Sequence, residues 1–310
     1  VTLDDTRARS PLSTGSVIAD EPAATDDDLD AAVALGLGHV RLPVSWRRAM
    51  PRPGRLDGGV IEHLLASAAR ARSAGIATWF HLLQPDVPPW FDDEGGFGDA
   101  ATAGRWWPRW VEAVADALGG AADGWVPMEA PFAMAQRLRP DDPRRHGELV
   151  DTLCVAWRDA WRVLHGPVPV ACSLDVRVVR IPRDDVVGAE AARRDEHLRW
   201  RTWLRALRDG TITIPGRADR ELDDLAGACD QLGIAVGGDA SFDPEPLLHR
   251  TADEGPDRPL ALTFRPLGAD LDARAEAVDA VERRLTGLVN SLPVVRHTVT
   301  DLAALAHARR

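Results

Sequence analysis

Trp125-Val126-Pro127-Met128-Glu129-Ala130-Pro131 follows the turn Ala121-Ala122-Asp123-Gly124 and closes a half-apolar run. The stretch reads as a β-strand that ends in a carboxylate, with Pro131 stopping the ladder because it brings no N–H group to it. In a barrel of parallel strands, a charged residue at the C-terminal end of a strand sits where such folds keep their chemistry. Whether Glu129 has that place depends on what the flanking chain builds.

Outward from this stretch, two periodicities alternate. Short apolar runs predict strands at Leu12–Ile18, His39–Val44, Ile76–Leu83, Gly124–Glu129, Val168–Leu174, Leu232–Val236, Pro259–Phe264 and Val294–Val299. Helical patterns fall between them. One starts at Asp26-Asp27-Asp28, acids at its positive end, and stops at Gly36. The others cover Gly59–Ala74, Ala100–Leu118, Arg144–Leu164, Ala191–Arg208, Asp219–Cys229, Asp270–Leu288 and Thr300–Ala308. Eight strands, each followed by a helix, is the count of a (β/α)₈ TIM barrel of the α/β class, and 310 residues suit one with modest insertions. Neither an internal repeat nor a linker divides the chain, so a single barrel domain over 1–310 is expected. An open doubly wound sheet is the runner-up, but no G-x-G-x-x-G follows the first strand.

Composition narrows the function classes. A net charge of −11 argues against a nucleic-acid surface, which needs clustered positive charge. No apolar run reaches the roughly 18 residues that span a bilayer, and none has the order of a signal peptide; a soluble, cytoplasmic protein is expected, with a leader ahead of Val1 left open. All 37 basic residues are arginine, and tyrosine is absent, which removes lysine Schiff-base chemistry and phenolic acids or bases. The three cysteines, Cys154, Cys172 and Cys229, are widely spaced in apolar contexts and read as buried thiols of a reducing compartment. No Cys/His spacing suggests a metal, and neither metal nor cofactor is expected. The partner implied is a small molecule; the sequence leaves the oligomeric state open.

Several segments carry a resemblance. Gly38-His39-Val40-Arg41-Leu42-Pro43-Val44-Ser45-Trp46-Arg47-Arg48, with Pro51-Arg52-Pro53-Gly54 after it, resembles the "Y-R-F-S-I-E-W-S-R…P-x-x-G" segment of family 1 glycoside hydrolases, the β-glucosidases. Gly75-Ile76 to Trp90-Phe91 is similar to that family's third strand and loop, Gly95-Gly96-Phe97 to its "GGW", and Trp125 to Pro131 to "W-x-T-x-N-E-P". Asp230 to Ile234 and Arg258 to Thr263 resemble the sixth and seventh strands. The matches keep their order from Asp26 to Arg296, and the resemblance implies the same barrel.

The departures decide what it implies for activity. Members of that family cleave glycosides with retention, using an acid/base Glu after strand 4 and a nucleophilic Glu after strand 7, about 5 Å apart. On these alignments Ala130 takes the acid/base place, with Glu129 at the motif's Asn, and Phe264 takes the nucleophile's place, followed by Arg265. The family's substrate-contacting His falls on Gln84, its strand-6 Tyr falls near Gly237, and its strand-8 loop is missing. Arg41, beside the nucleophile in the family, is kept. The resemblance therefore implies a divergent glycosidase-like scaffold without the retaining machinery.

The candidate catalytic set is Glu129, Arg41 and Asp175, and the candidate substrate-binding set is Trp46, Trp79, His81, Gln84, Asp239, Phe264 and Arg265. Glu129 is either a carboxylate whose pKa its neighbours tune for proton transfer or the idle salt-bridge partner of Arg41. Asp175 and Asp239 follow strands 5 and 6; loop aspartates also cap helices and turns. His81 lies within strand 3, where a satisfied core histidine is common, and the tryptophans either stack on a flat ligand or pack the core. Three readings follow: an acid/base enzyme for dehydration, elimination or cyclisation, a non-catalytic ligand-binding pseudo-glycosidase, and a hydrolase with a rearranged carboxylate pair such as Glu129 with Asp175 or Asp239.

Overall fold

The structure, a computed structural model, describes residues 12–18, 22–177 and 181–310. Residues 1–11, 19–21 and 178–180 of the predicted 1–310 span lie outside the described residues. Eight parallel strands form one sheet: β1 Ser13–Val17, β2 His39–Pro43, β3 Ala77–Leu83, β4 Gly124–Met128, β5 Leu174–Asp175, β6 Leu232–Gly238, β7 Leu260–Pro266 and β8 Val294–Val299. Their order, β4-β3-β2-β1-β8-β7-β6-β5, places each strand beside its neighbours in sequence. The ring closes through a parallel bridge between Trp125 and Val170, where Ala171 N–H donates to the Trp125 carbonyl at 2.8 Å. The predicted TIM-barrel class is what the chain adopts.

Helices α1 Pro22–Ala34, α2 Gly58–Ser73, α3 Ala100–Leu118, α4 Pro131–Leu138, α5 His146–Leu164 and α6 Val186–Glu196 follow in chain order. A π-helical turn at His197–Arg201 joins α6 to α7 Thr202–Asp209, and α8 Glu245–Glu254, α9 Leu271–Leu288 and α10 Leu302–Ala308 follow; short helical turns also lie at Trp46–Ala49 and Pro89–Asp93. Aspartates start many of them: Asp57, Asp99, Asp185, Asp270 and Asp301 each accept from the N–H three residues on, satisfying donors that have no partner inside the helix. Among the described residues no helix is long and apolar enough to cross a membrane.

Several elements differ from the sequence expectation. The helix predicted over Asp219–Cys229 is instead a ribbon pairing Thr211–Ile212 with Arg220–Glu221, followed by turns. Asp224 at φ 64° and Gly227 at φ 73° are left-handed, a conformation a right-handed helix does not admit. Helices α4 and α8 were not expected. The predicted strand Val168–Leu174 is irregular, with single bridges at Val170 and Ala171 before the two-residue ladder of β5.

The main core lies between the strands and the helices. Trp46 is its hub on one side: it stacks on Trp110 at 5.5 Å and 11°, and meets Phe91 at 4.6 Å and Trp107 at 5.9 Å. Burying several such rings supplies hydrophobic and edge-to-face stabilisation together. The barrel interior differs, because its apolar cluster among the described residues is the small group Trp79, Val126 and Ala171. Gly124 makes room there, since a Cβ on it would lie 2.5 Å from the Trp79 indole. The guanidinium of Arg296 covers Trp79 at 4.1 Å from the ring centroid, and its Nε donates to Gln231 at 3.0 Å. Burial, with Arg41 nearby, pulls Arg296 down to about 9.

Candidate active site

Because all eight strands run the same way, their C-terminal ends share one face, and a cavity of about 880 Å³ opens there. Every strand contributes to its wall: Val17, Pro43, Leu83, Glu129, Asp175, Gly237, Arg265 and Thr300 stand at or just beyond the ends of β1 to β8 in turn.

Glu129 is the carboxylate on the cavity floor. Strand β4 ends at Met128, and Ala130 turns the chain in the left-handed region at φ 51°, its N–H donating to the Ser173 carbonyl at 2.8 Å, before Pro131 opens α4. This fixes Glu129 between strand and helix. Its side chain is 24% exposed and ion-paired through Oε2 with Nη1 of Arg41, itself only 1% exposed. Arg41 also donates through Nη2 to Thr263 Oγ1 at 2.7 Å, and the Ser173 hydroxyl lies 3.5 Å from both Glu129 and Thr263. Burial acts to raise the Glu129 carboxyl, but the Arg41 charge, His81 and the hydrogen bonds from Arg41 and Ser173 outweigh it. The result lies below the ordinary carboxylate value. Glu129 is therefore ionised at neutral pH.

His81 lines the same cavity. The Gln84 side-chain amide nitrogen lies 3.0 Å from its Nδ1 and donates to its backbone carbonyl at 3.3 Å. Its Nε2 is buried and has no hydrogen-bond partner among the described residues. Burial pulls the imidazole down to about 4, against the pull of Glu129 and of a backbone hydrogen bond to Leu83 and with the help of Arg41, so His81 is neutral at pH 7.

Asp175 sits at the N-terminus of α4. Its two oxygens accept from the N–H groups of Phe132 and Ala133, both at 3.0 Å, and Oδ2 accepts from Arg199 at 2.6 Å. Burial pushes the carboxyl up to about 6, with Arg199 and the helix amides holding it from rising further. Its acceptor positions are largely taken, and it clamps the start of α4 to the π-helical turn that carries Arg199.

Of the residues singled out in the sequence, Arg41, His81, Gln84, Glu129, Asp175 and Arg265 line the cavity together. Trp46 and Trp79 do not: one is the hub of the aromatic core and the other lies under Arg296 in the barrel interior. Phe264 is fully buried and stacks at 5.8 Å behind Phe242, which does face the cavity. Asp239 lies off the wall in a turn, accepting from the Ser241 N–H at 2.9 Å and hydroxyl at 2.6 Å. Sequence does not single out Arg137, Ser173, Arg199 or Thr263. The inward period of β7 gives a signal for Thr263; the others depend on contacts between elements distant in the chain.

The barrel is similar to solved glycosidases over most of its length. The family 1 β-glucosidase of Exiguobacterium antarcticum B7 superposes with a TM-score of 0.73 at 14% identity, over 93% of this chain and 87% of its own. The β-glycosidase of Pyrococcus horikoshii gives 0.75 at 16%, over 89% and 73%. The family 1 β-glucosidase of Thermotoga maritima gives 0.72 at 14%, over 89% and 76%. No protein-family model matches the chain. At such identities the likeness establishes a glycosidase-like (β/α)₈ fold, and fold alone does not assign an activity.

Proposed function

We propose that this glycosidase-like barrel has lost the retaining two-glutamate machinery and performs proton-transfer chemistry, of the dehydration, elimination or cyclisation class, on a small molecule. The observation that carries the proposal is Glu129: an ionised, partly exposed carboxylate on the floor of a roomy cavity, with the neutral imidazole of His81 in the same lining. Glu129 is the general base that takes the proton from the bound small molecule. Arg41 keeps the base ionised, and Asp175 positions α4 through its helix amides.

Retaining hydrolysis is set aside because Ala130 and Phe264 stand where the resemblance puts the two glutamates. With no carboxylic acid beside the leaving group and no nucleophile, the covalent intermediate does not form. Chromogenic β-glucosides should therefore show no enzymatic turnover. The test of the main reading is a screen for small molecules consumed by the protein, repeated with Glu129→Gln. A loss of roughly 10²-fold or more supports the general base, and unchanged turnover sinks it.

One observation favours a second reading, a non-catalytic ligand-binding pseudo-glycosidase. The Arg41 and Glu129 charges satisfy each other, as in an idle structural pair. In that case the screen finds ligands that raise the melting temperature and are recovered unchanged.

A further inference from the structure

We propose that the cavity selects an organic oxyanion, a carboxylate or phosphate on an apolar body, and that Arg137 and Arg265 are its recognition residues. The inference rests on the cavity being the ligand site, as proposed above, but not on any chemistry at Glu129. In a chain of net charge −11, the wall carries five arginines against three carboxylates, a net +2. Three of the five are matched: Arg41 by Glu129, Arg199 by Asp175, and Arg177 by Asp195 at 3.2 Å. The third wall carboxylate, Asp243, accepts the Glu245 N–H at 3.0 Å. Arg137, on α4, and Arg265, at the end of β7, have no acidic or hydrogen-bonding partner among the described residues.

Two unmatched guanidinium groups lining one cavity concentrate positive potential in a chain that is acidic overall, and guanidinium forks match the two oxygens of a carboxylate or phosphate. Beside Arg265 the wall is apolar. Phe242 faces the cavity, backed by Phe264, and Leu267 comes within 3.6 Å of where a side chain on Gly237 would begin, as does Arg265 itself. No tryptophan lines the cavity among the described residues. The wall thus offers charge and apolar area rather than a polyhydroxyl-binding surface.

The experiment is isothermal titration of the whole chain with matched probes: 3-phenylpropanoate, phenyl phosphate, the neutral 3-phenylpropan-1-ol and methyl β-glucoside. At least one of the two anions should bind ten times or more tighter than the alcohol and the glucoside, and which of them it is separates carboxylate from phosphate recognition. Arg137→Gln and Arg265→Gln should each weaken that anion about tenfold, equivalent to about 1.4 kcal/mol, while added salt narrows the gap. Both positions are solvent-exposed, so folding should persist, and an unchanged melting temperature checks this. Arg109→Gln, outside the cavity, should leave binding as it is, and because the readout is binding of probes and not turnover, this test stays separate from that of the general base. Equal binding of alcohol and anions, no binding by any probe, or anion binding indifferent to both arginines would overturn the proposal.

Discussion

Replacing Arg41 by methionine tests how the floor of the cavity is held. Arg41 is 1% exposed and makes two side-chain contacts, the ion pair with Glu129 and the 2.7 Å hydrogen bond to Thr263. Removing one partner of a buried pair costs about 3–5 kcal/mol. Glu129 keeps some hydration at 24% exposure, which places the cost near the lower end, about 3 kcal/mol. For a chain of this size that corresponds to a fall in melting temperature of about 5 °C. The variant also changes protonation, because burial, the strongest influence on Glu129, then acts with its main opponent gone and moves the carboxyl above its ordinary 4.5. The sign of the pH dependence follows. In the native protein the Glu129 pKa is depressed, so the stability it contributes is full above the unfolded value and is lost as the pH falls through the folded one. Denaturant melts at neutral pH and well below the ordinary carboxylate value should show the gap between wild type and Arg41→Met wide in the first and nearly closed in the second. An equal gap at both, or none at neutral pH, refutes the ion pair as the element holding Glu129.

His81 takes its proton near pH 4 when folded and near 6.5 when unfolded, so the unfolded chain binds more protons between these values and stability drops by up to about 3 kcal/mol as the pH falls across them; His81→Gln should remove that part of the acid sensitivity, and an unaltered acid limb would contradict it. Asp175 titrates near 6 instead of 3.8, so the native state holds the extra proton between them and this group's contribution declines as the pH rises through that window. The amides of Phe132 and Ala133 should shift in NMR spectra with a midpoint near 6, and a midpoint in the ordinary carboxylate range is the opposing result. Gly124→Ala should destabilise by about 1–3 kcal/mol, because the new methyl meets the Trp79 ring; combining it with Trp79→Leu should recover part of the loss, and a neutral single variant would show the interior to be loose.

Hydrophobic period and turn residues made the strands legible, because a barrel strand packed on both faces is a compact apolar run between Gly, Pro and Asp. The run at Leu232–Val236 is such a case, and β6 spans Leu232–Gly238. Local pattern failed where tertiary contacts decide. The Asp219–Cys229 stretch has helix-like spacing but folds as ribbon and turns against α7, with the Gly227 N–H donating to the Leu207 carbonyl. Helix α4 was hidden because its N-terminus is satisfied not by a preceding cap residue but by Asp175, more than forty positions away. The pairing of Arg41 with Glu129 was readable as one of two alternatives, and the structure places the two together while leaving Glu129 partly open to the cavity. Arg199 gave no local sign, since it looks like a helix-surface residue until the π-helical turn aims it at Asp175.

Chemical rescue at position 129 tests the central claim most directly. With a substrate from the screen, Glu129→Ala should lose roughly 10²-fold or more in kcat. Added formate, a small carboxylate that fits the vacated floor beside Arg41, should restore a substantial part of the rate, with the restored rate rising in proportion to the formate anion. Full activity in Glu129→Ala, or a lost rate that formate leaves unchanged while the variant is shown to be folded, would contradict Glu129 as the working base.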